Sequence, residues 1–467
     1  MGDKITSKVS GAVSANLNLV NEKTKKYQEE FIRLIKNNKV IVFILIGILI
    51  ISLITYRAAP KPRQYIVNRN ITRHIDKQTD DFQDIYSFLS RKEYVLKGET
   101  GHLTKEFWGE KNTPNNETWL TLCDFHIASS AKSYLLLSKY YDYCSYDSIK
   151  YTLEAGARFI ELDIYRQGLN EDENIPVVTN GVEVGEWKLC INTLCLKKCL
   201  QTIKESGLNN TIYKSNNNPL ILYLNININS TLKFDKLDKK PPEDKHGDFR
   251  FFNKIAEIIY EVFGNKYLLT GNYSLYNQSK SVHKNPIHLE NIYNFRNQLI
   301  IMSNVTGSCT NLGEYINILC PKNYKDNENI HNMNSFSNTE LEGYYDIKML
   351  INKNKNQLTH VYEQSDKNSL HNYVSGTAIK EGCQLVSMYY QINDNNMSSY
   401  MNSKWGQFGS EPASSTQQKY EYGFKKCSFV LKNPLLRNTL AEVLQNTGGI
   451  SKSEPTINCT PSPSRTE

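Results

Sequence analysis

The chain has 467 residues, of which 39% are hydrophobic and 22% charged, enough to bury a sizeable core and carry appendages. Its net charge is +7, but the Lys residues are dispersed among acidic groups and no dense basic stripe is interleaved with aromatics. That excludes nucleic acid as the partner and leaves an anionic membrane surface. The ten Cys contain no Cys-x-x-Cys pair with a His partner, so zinc spacing is absent. Cys190, Cys195 and Cys199 cluster, and some Cys are available for disulfides if the bulk of the chain is lumenal.

In chain order, residues 1–39 form a polar segment with a helical pattern near "KYQEEFIRLIK". "MGDKIT" fits the loose pattern for acylation at Gly2, which requires a cytosolic amino terminus. Residues 40–56, "VIVFILIGILIISLITY", are uncharged and apolar, with Lys36 and Lys39 before them and Arg57 after. At 1.5 Å per residue this segment spans a slightly thin hydrocarbon core, and no small-residue cleavage site follows it. A single-pass membrane anchor is the expectation, with the bulk of the chain on the extracellular or lumenal side. Lys and Arg are nearly balanced across the span, and the Asn-x-Ser/Thr sites are no more numerous than this composition yields by chance. Neither adds to the assignment.

Residues 57–117 read as a linker, extended around Pro60 and Pro62, followed by a helical neck. From about 118 to 440, short apolar runs alternate with helical patterns, which predicts βα units around a parallel sheet. The predicted strands are "RFIELDIY" (158–165), "IPVVTN" (175–180), "PLILYLNI" (219–226), "NQLIIMS" (297–303) and "GCQLVSMYY" (382–390). "DSIKYTLEAG" and "FFNKIAEIIYEVFG" read as helices between them. A charged loop at 235–248 and a Tyr- and Asn-rich connection interrupt the alternation, and 447–467 is predicted to be disordered.

In a (β/α) barrel, chemistry sits at the carboxyl ends of the strands. Glu161 and Asp163 lie two apart on a strand, so both point to one face and together could chelate a hard cation. The order of "SSAKSYL" (129–135), "LEAGARFIELDIY" (153–165), "PVVTNG" (176–181) and "NPLILYLNIN" (218–227) resembles the X region of the eukaryotic phosphoinositide-specific phospholipases C. The corresponding runs of that family read like SSHNTYL, GCRxxELDxW, PxxYHG and PVILSLEN. "MNSFSNTE" (333–340), "LTHVY" (358–362), "GCQLVSMYYQ" (382–391) and "SFVLKNPLLR" (428–437) resemble its Y region.

The resemblance implies a TIM-type (β/α)8 barrel, and the apolar segment 40–56 read above places a transmembrane helix before it. Its X-like half would be 118–306, a connecting segment 307–334 and a Y-like half 335–446. It also implies a site whose key positions are altered. The two catalytic His of the family fall on Ala131 and Asn180, neither of which can relay a proton near neutral pH. Its Ca²⁺ ligands fall on Lys132, Glu161, Asp163 and Asn225, a degenerate set that would hold Ca²⁺ weakly or not at all. Its headgroup-binding positions fall on Ser335, His360 and Tyr362, with the phosphate-binding Lys near Met302 and Asn304. The other His offer no replacement: His126 faces away from Ala131 on a regular strand, and nothing places His371 at the site.

The expected function is therefore a membrane-anchored, catalytically inactive barrel that binds phosphoinositide, another anionic lipid or a protein. The alternatives are a phosphoric diester hydrolase with altered chemistry and a structural envelope protein. Glycerophosphodiesterase chemistry is disfavoured because no His-Arg-Gly motif occurs.

Overall fold

The computed structural model describes residues 60–75 and most of 120–438, with scattered positions between 25 and 52. Residues 76–119, most of the charged loop at 235–248 and the tail at 447–467 lie outside the described residues. The chain divides into two compact units, Met1–Pro62 and Arg63–Glu467. In the first, the described positions near "KYQEEFIRLIK" are helical, as are Phe43, Ile44 and residues 46–52. Phe43, Leu49 and Ile51 are exposed apolar side chains there. No helix among the described residues is long and apolar enough to cross a membrane. The expected span, 40–56, falls only partly within them.

The second unit is built on a curled parallel sheet. Its strands are β1 (Phe125–Ser130), β2 (Phe159–Arg166), β3 (Leu220–Ile226), β4 (Leu299–Ser303), β5 (Ile318–Leu319), β6 (Asn334–Ser337), β7 (Thr359–Tyr362) and β8 (Leu385–Met388). The order across the sheet is β6-β7-β8-β1-β2-β3-β4-β5. This is chain order with one seam between β5 and β6, as a barrel of successive βα units requires. Met333 N donates to Leu319 O across that seam (3.0 Å). The curl is tight enough to bring Phe159 of β2 within 5.0 Å of His360 of β7, ring to ring, although β8 and β1 lie between them in the sheet. The fold is thus of TIM type, as expected.

Helices cover the outside. α1 is Pro60–Ile75, α2 Tyr146–Glu154, α3 Leu196–Lys204 and α4 Asp248–Tyr267. α4 buries Phe252, Ile255, Ile259, Val262 and Phe263 at helical spacing. Gly264, with φ of 59°, ends this amphipathic run, because the left-handed region disfavours a side chain. Arg158, at the foot of β2, is buried. Its guanidinium donates to Gly207 O (2.7 Å), Leu153 O (3.3 Å) and Asn216 Oδ1 (2.6 Å), and burial lowers its pKa to about 9.

Three expectations change. The stretch around Pro60 and Pro62, expected to be extended, is the first turn of α1. Proline is tolerated there because first-turn N–H groups have no intrahelical acceptor. "IPVVTN" forms a strand at Pro176–Val178 but runs antiparallel to β2, pairing Ile164 with Val178 and Arg166 with Pro176. The link from β2 is too short for a helical crossover. Finally, β5 lies inside the expected connecting segment 307–334. There Ile316, Ile318 and Cys320 alternate into the core and β5 pairs with β4.

Candidate functional site at the carboxyl ends of the strands

Two loops build the mouth of the barrel. The first follows β1. Leu135 N donates to Lys132 O (3.0 Å) and Ser133 Oγ to Ser130 Oγ (2.8 Å), closing a tight turn. Tyr134, Leu135 and Leu136 are buried beneath it. Further on, Leu370 N donates to Leu137 O (3.1 Å) and Lys139 N to Asn368 O (2.7 Å), so this loop crosses to the segment that follows β7. The second loop is the antiparallel return of 176–178, where Thr179 N donates to Asp163 O (3.2 Å). That reversal sets Asn180 level with Asp163.

Ala131 is buried, with its N–H donating to Met388 O (3.0 Å). Lys132 has φ of 40°, unusual for a residue with a side chain and tolerated where neighbours hold it. Gln391 Nε2 supplies that hold, donating to Lys132 O (3.0 Å) and Leu135 O (3.2 Å). The Lys132 ammonium lies 3.1 Å from Asp163 Oδ2 and donates to Asn180 Oδ1 (2.6 Å). Burial opposes that charge, but the Asp163 and Glu161 carboxylates outweigh it and raise the Lys132 pKa above its ordinary value. Asp163 also accepts from Tyr134 Oη (2.5 Å) and from Asn225 Nδ2. The register explains the last contact, since Asp163 pairs with Asn225 and Glu161 with Tyr223.

The network continues across the mouth. Asn180 Nδ2 donates to Lys139 O (2.7 Å), and Lys139 Nζ pairs with Glu363 Oε2 (2.8 Å). Glu363 immediately follows β7 and has a buried side chain. Tyr389 Oη donates to it (3.4 Å), and His371 Nε2 lies 3.3 Å from its other oxygen. Sequence reasoning missed Lys139, Glu363 and Tyr389, although the position of Glu363 at a strand end was a usable signal. It also left His371 unplaced; the segment after β7 brings this half-exposed imidazole to the rim.

The expected headgroup residues lie on the later strands. Ser335 pairs with His360 and Ser337 with Tyr362 in register. His360 is buried inside the barrel against Phe159 (5.0 Å), Tyr223 (5.9 Å) and Tyr362 (5.8 Å), with Nε2 2.9 Å from Ser387 Oγ. Burial lowers its pKa to about 3, so it is neutral and packs as part of an aromatic stack. Met302 is buried on β4, and Asn304 Nδ2 donates to Ile226 O (3.0 Å). His126 lies at the opposite end of β1 from the mouth, with Nδ1 2.8 Å from Cys383 O. Burial lowers its pKa to about 3 as well.

The residues present do not fit a hard divalent cation, which takes roughly six to eight oxygen ligands. An ammonium already lies against Asp163, and Asn225 presents its NH₂ to that carboxylate. Among the described residues, no group of three or more His, Cys, Asp or Glu is placed to hold a metal ion. The arrangement instead sets fixed side-chain donors against Asp163 and Glu363.

Residues 120–238 match the family model for the phosphatidylinositol-specific phospholipase C X domain. Among solved structures, PLC21 of L. pealei is 17% identical, with 68% of this chain and 38% of that chain covered and a TM-score of 0.47. PLC21 of S. officinalis is 19% identical, with 60% and 35% covered and a TM-score of 0.44. A calcium-dependent phosphoinositol-specific phospholipase C of Pseudomonas sp is 12% identical, with 60% and 94% covered and a TM-score of 0.36. The chain thus spans little more than a third of the two PLC21 proteins. No curated protein matches it.

Proposed function

Because the chain is a phosphoinositide-specific phospholipase C-like protein, recognisable by its X region at 120–238, we propose that it is a membrane-anchored barrel of this type without the hydrolytic reaction, serving as a binding module. One observation carries the reading: the Lys132 ammonium bridges Asp163 and Asn180. Transfer of a phosphoryl group to a neighbouring hydroxyl needs a proton acceptor and a stabiliser of developing charge. Loss of general acid–base catalysis costs about 10²–10⁴-fold in rate, and loss of electrostatic stabilisation roughly 10²–10³-fold more. Ala131 and Asn180 stand at the two family positions for these roles and supply neither. Ca²⁺ is at most a weak ligand in this reading.

The binding surface is the rim of the mouth. Tyr141 (71% exposed) and Trp187 (60%), with Val182 and Ile191 nearby in sequence, are exposed apolar side chains on its loops. Such a patch favours a lipid headgroup region or a protein partner over bulk water. Residues 40–56 supply the anchor, with the amino terminus cytosolic and the barrel extracellular or lumenal. From Arg63 onward, α1 is held to the mouth loop. Arg63 pairs with the buried Asp142 (2.6 Å), and Asn70 Nδ2 donates to Gln391 O (2.9 Å).

A second reading, residual phosphoric diester hydrolysis, is favoured by one observation: His371 and Glu363 form an imidazole–carboxylate pair at the rim. The full-length protein in detergent, incubated with phosphatidylinositol and Ca²⁺, tests both. The proposal expects no diacylglycerol. Release abolished by Glu161→Gln or His371→Gln would establish the hydrolase instead. Vesicle binding that is indifferent to inositol and other anionic lipids would point to a protein partner or a structural role, and protease protection in sealed vesicles tests the topology.

A further inference from the structure

The mouth holds two cysteines that the network above does not use. Cys144 ends the loop that carries Lys132 and Lys139, and Cys190 follows the hairpin between Asn180 and Lys188. Their backbones are braced together. Tyr141 N donates to Leu189 O (2.8 Å) and Ile191 N to Asp142 O (2.9 Å). Asn192 clasps Cys144 on both sides, its Oδ1 accepting from Cys144 N (2.7 Å) and its Nδ2 donating to Cys144 O (3.0 Å).

The two thiols are near enough for each to shift the other's protonation. Cys144 Sγ also lies 4.0 Å from Thr179 Oγ1, and Cys190 Sγ 3.7 Å from Lys139 O. Cys144 is buried and Cys190 only partly so. We propose that Cys144 and Cys190 are an oxidative modification site whose disulfide clips the Lys132 loop to the Asn180 hairpin.

The asymmetry of the pair sets the order of events. The neighbouring Cys144 thiol lowers the Cys190 pKa to about 7 against the opposing effect of burial, with Asn180, Thr179 and Lys132 assisting. The same contact, together with burial, raises Cys144 well above its ordinary value. Burial also raises the Cys123, Cys199 and Cys383 thiols. Cys190 is therefore the attacking sulfur.

With a small disulfide such as oxidised glutathione as oxidant, the Cys190 thiolate attacks one of its sulfurs. A mixed disulfide forms and one glutathione thiolate leaves. Cys144 then loses its proton and attacks the Cys190 sulfur, releasing the second glutathione thiolate. Each protein sulfur gives up one electron, the oxidant takes both, and the two thiol protons end on the two glutathiones. The braces already hold the two segments side by side.

The test uses the full chain in detergent micelles. It is treated with oxidised glutathione, alkylated, digested without reduction and analysed by mass spectrometry. The expected product is one cross-linked peptide pair joining Cys144 to Cys190, lighter by two hydrogens than the separate peptides. Cys144→Ser should stop at glutathione on Cys190, and Cys190→Ser should leave Cys144 unmodified. The oxidised wild type should melt roughly 5–10 °C above the reduced form, a measurement that needs no variant. Recovery of both thiols alkylated, pairing of Cys190 with Cys195 or Cys199, or identical melting of the two forms would overturn the proposal.

Discussion

Replacing Lys132 with Met removes the ammonium between Asp163 and Asn180 while keeping most of the side-chain volume. The Asp163 side chain is 2% exposed and that of Lys132 26%. Breaking a buried pair by deleting one partner costs about 3–5 kcal/mol. Here solvent partly screens the cation, and Tyr134 and Asn225 still donate to the carboxylate. The expected loss is therefore about 2–3 kcal/mol, or about 4–9 °C in melting temperature for a domain of this size.

The pH dependence has a definite sign. The folded pKa of Lys132 lies above the unfolded value near ~10.4. Its contribution is thus complete at neutral pH and is lost only as pH rises through the folded value. Differential scanning calorimetry of wild type and variant at pH 7 reads the difference. Equal melting temperatures would show that the pair contributes nothing and that the ammonium does not neutralise the pocket.

Reversing the charge pattern should create a cation site. Lys132→Asn with Asn225→Glu surrounds the pocket with oxygen ligands, and millimolar Ca²⁺ should raise the melting temperature of the double variant while leaving the wild type unchanged. Saturation at 100-fold over Kd corresponds to about 2.7 kcal/mol. His360 has a folded pKa lowered to about 3, so the unfolded chain binds the extra proton between about pH 3 and ~6.5, and stability falls on acidification through that window. His360→Phe should flatten the fall by about 1.4 kcal/mol per pH unit, read from urea midpoints at pH 4.5 and 7. His126, lowered to about 3 in the same way, keeps its share in both proteins. Asn70→Ala removes the bond from α1 to Gln391; a loss of about 1 kcal/mol should speed amide exchange over 63–75 about fivefold in hydrogen-exchange mass spectrometry.

These outcomes bear on one property of the mouth: its parts are tied to one another. Gln391 links α1 to the Lys132 turn through its own O and Nε2. Lys139 links the second loop to Glu363 through its carbonyl and its ammonium. A change at one link should therefore be felt at the others, and effects of paired substitutions here should not be additive.

Much of the architecture was already written in local pattern. Apolar runs spaced by amphipathic helices identify β2, β3, β4 and β8, and strand alternation alone places Glu161 and Asp163 on one face. That neither Ala131 nor Asn180 ionises near neutral pH is likewise legible in the sequence; that they stand where catalytic His would be is what the resemblance implies. Only the tertiary structure decided where Lys132 goes. Its ammonium reaches Asp163 because the backbone takes a left-handed turn braced by Gln391, a residue distant in sequence. It also decided that Pro176–Val178 doubles back along β2, bringing Asn180 to that ammonium, and that His360 fills the barrel among aromatics. Strand periodicity is a property of neighbouring residues, whereas these contacts depend on how loops close and on what burial does to charge, which no short window of sequence contains.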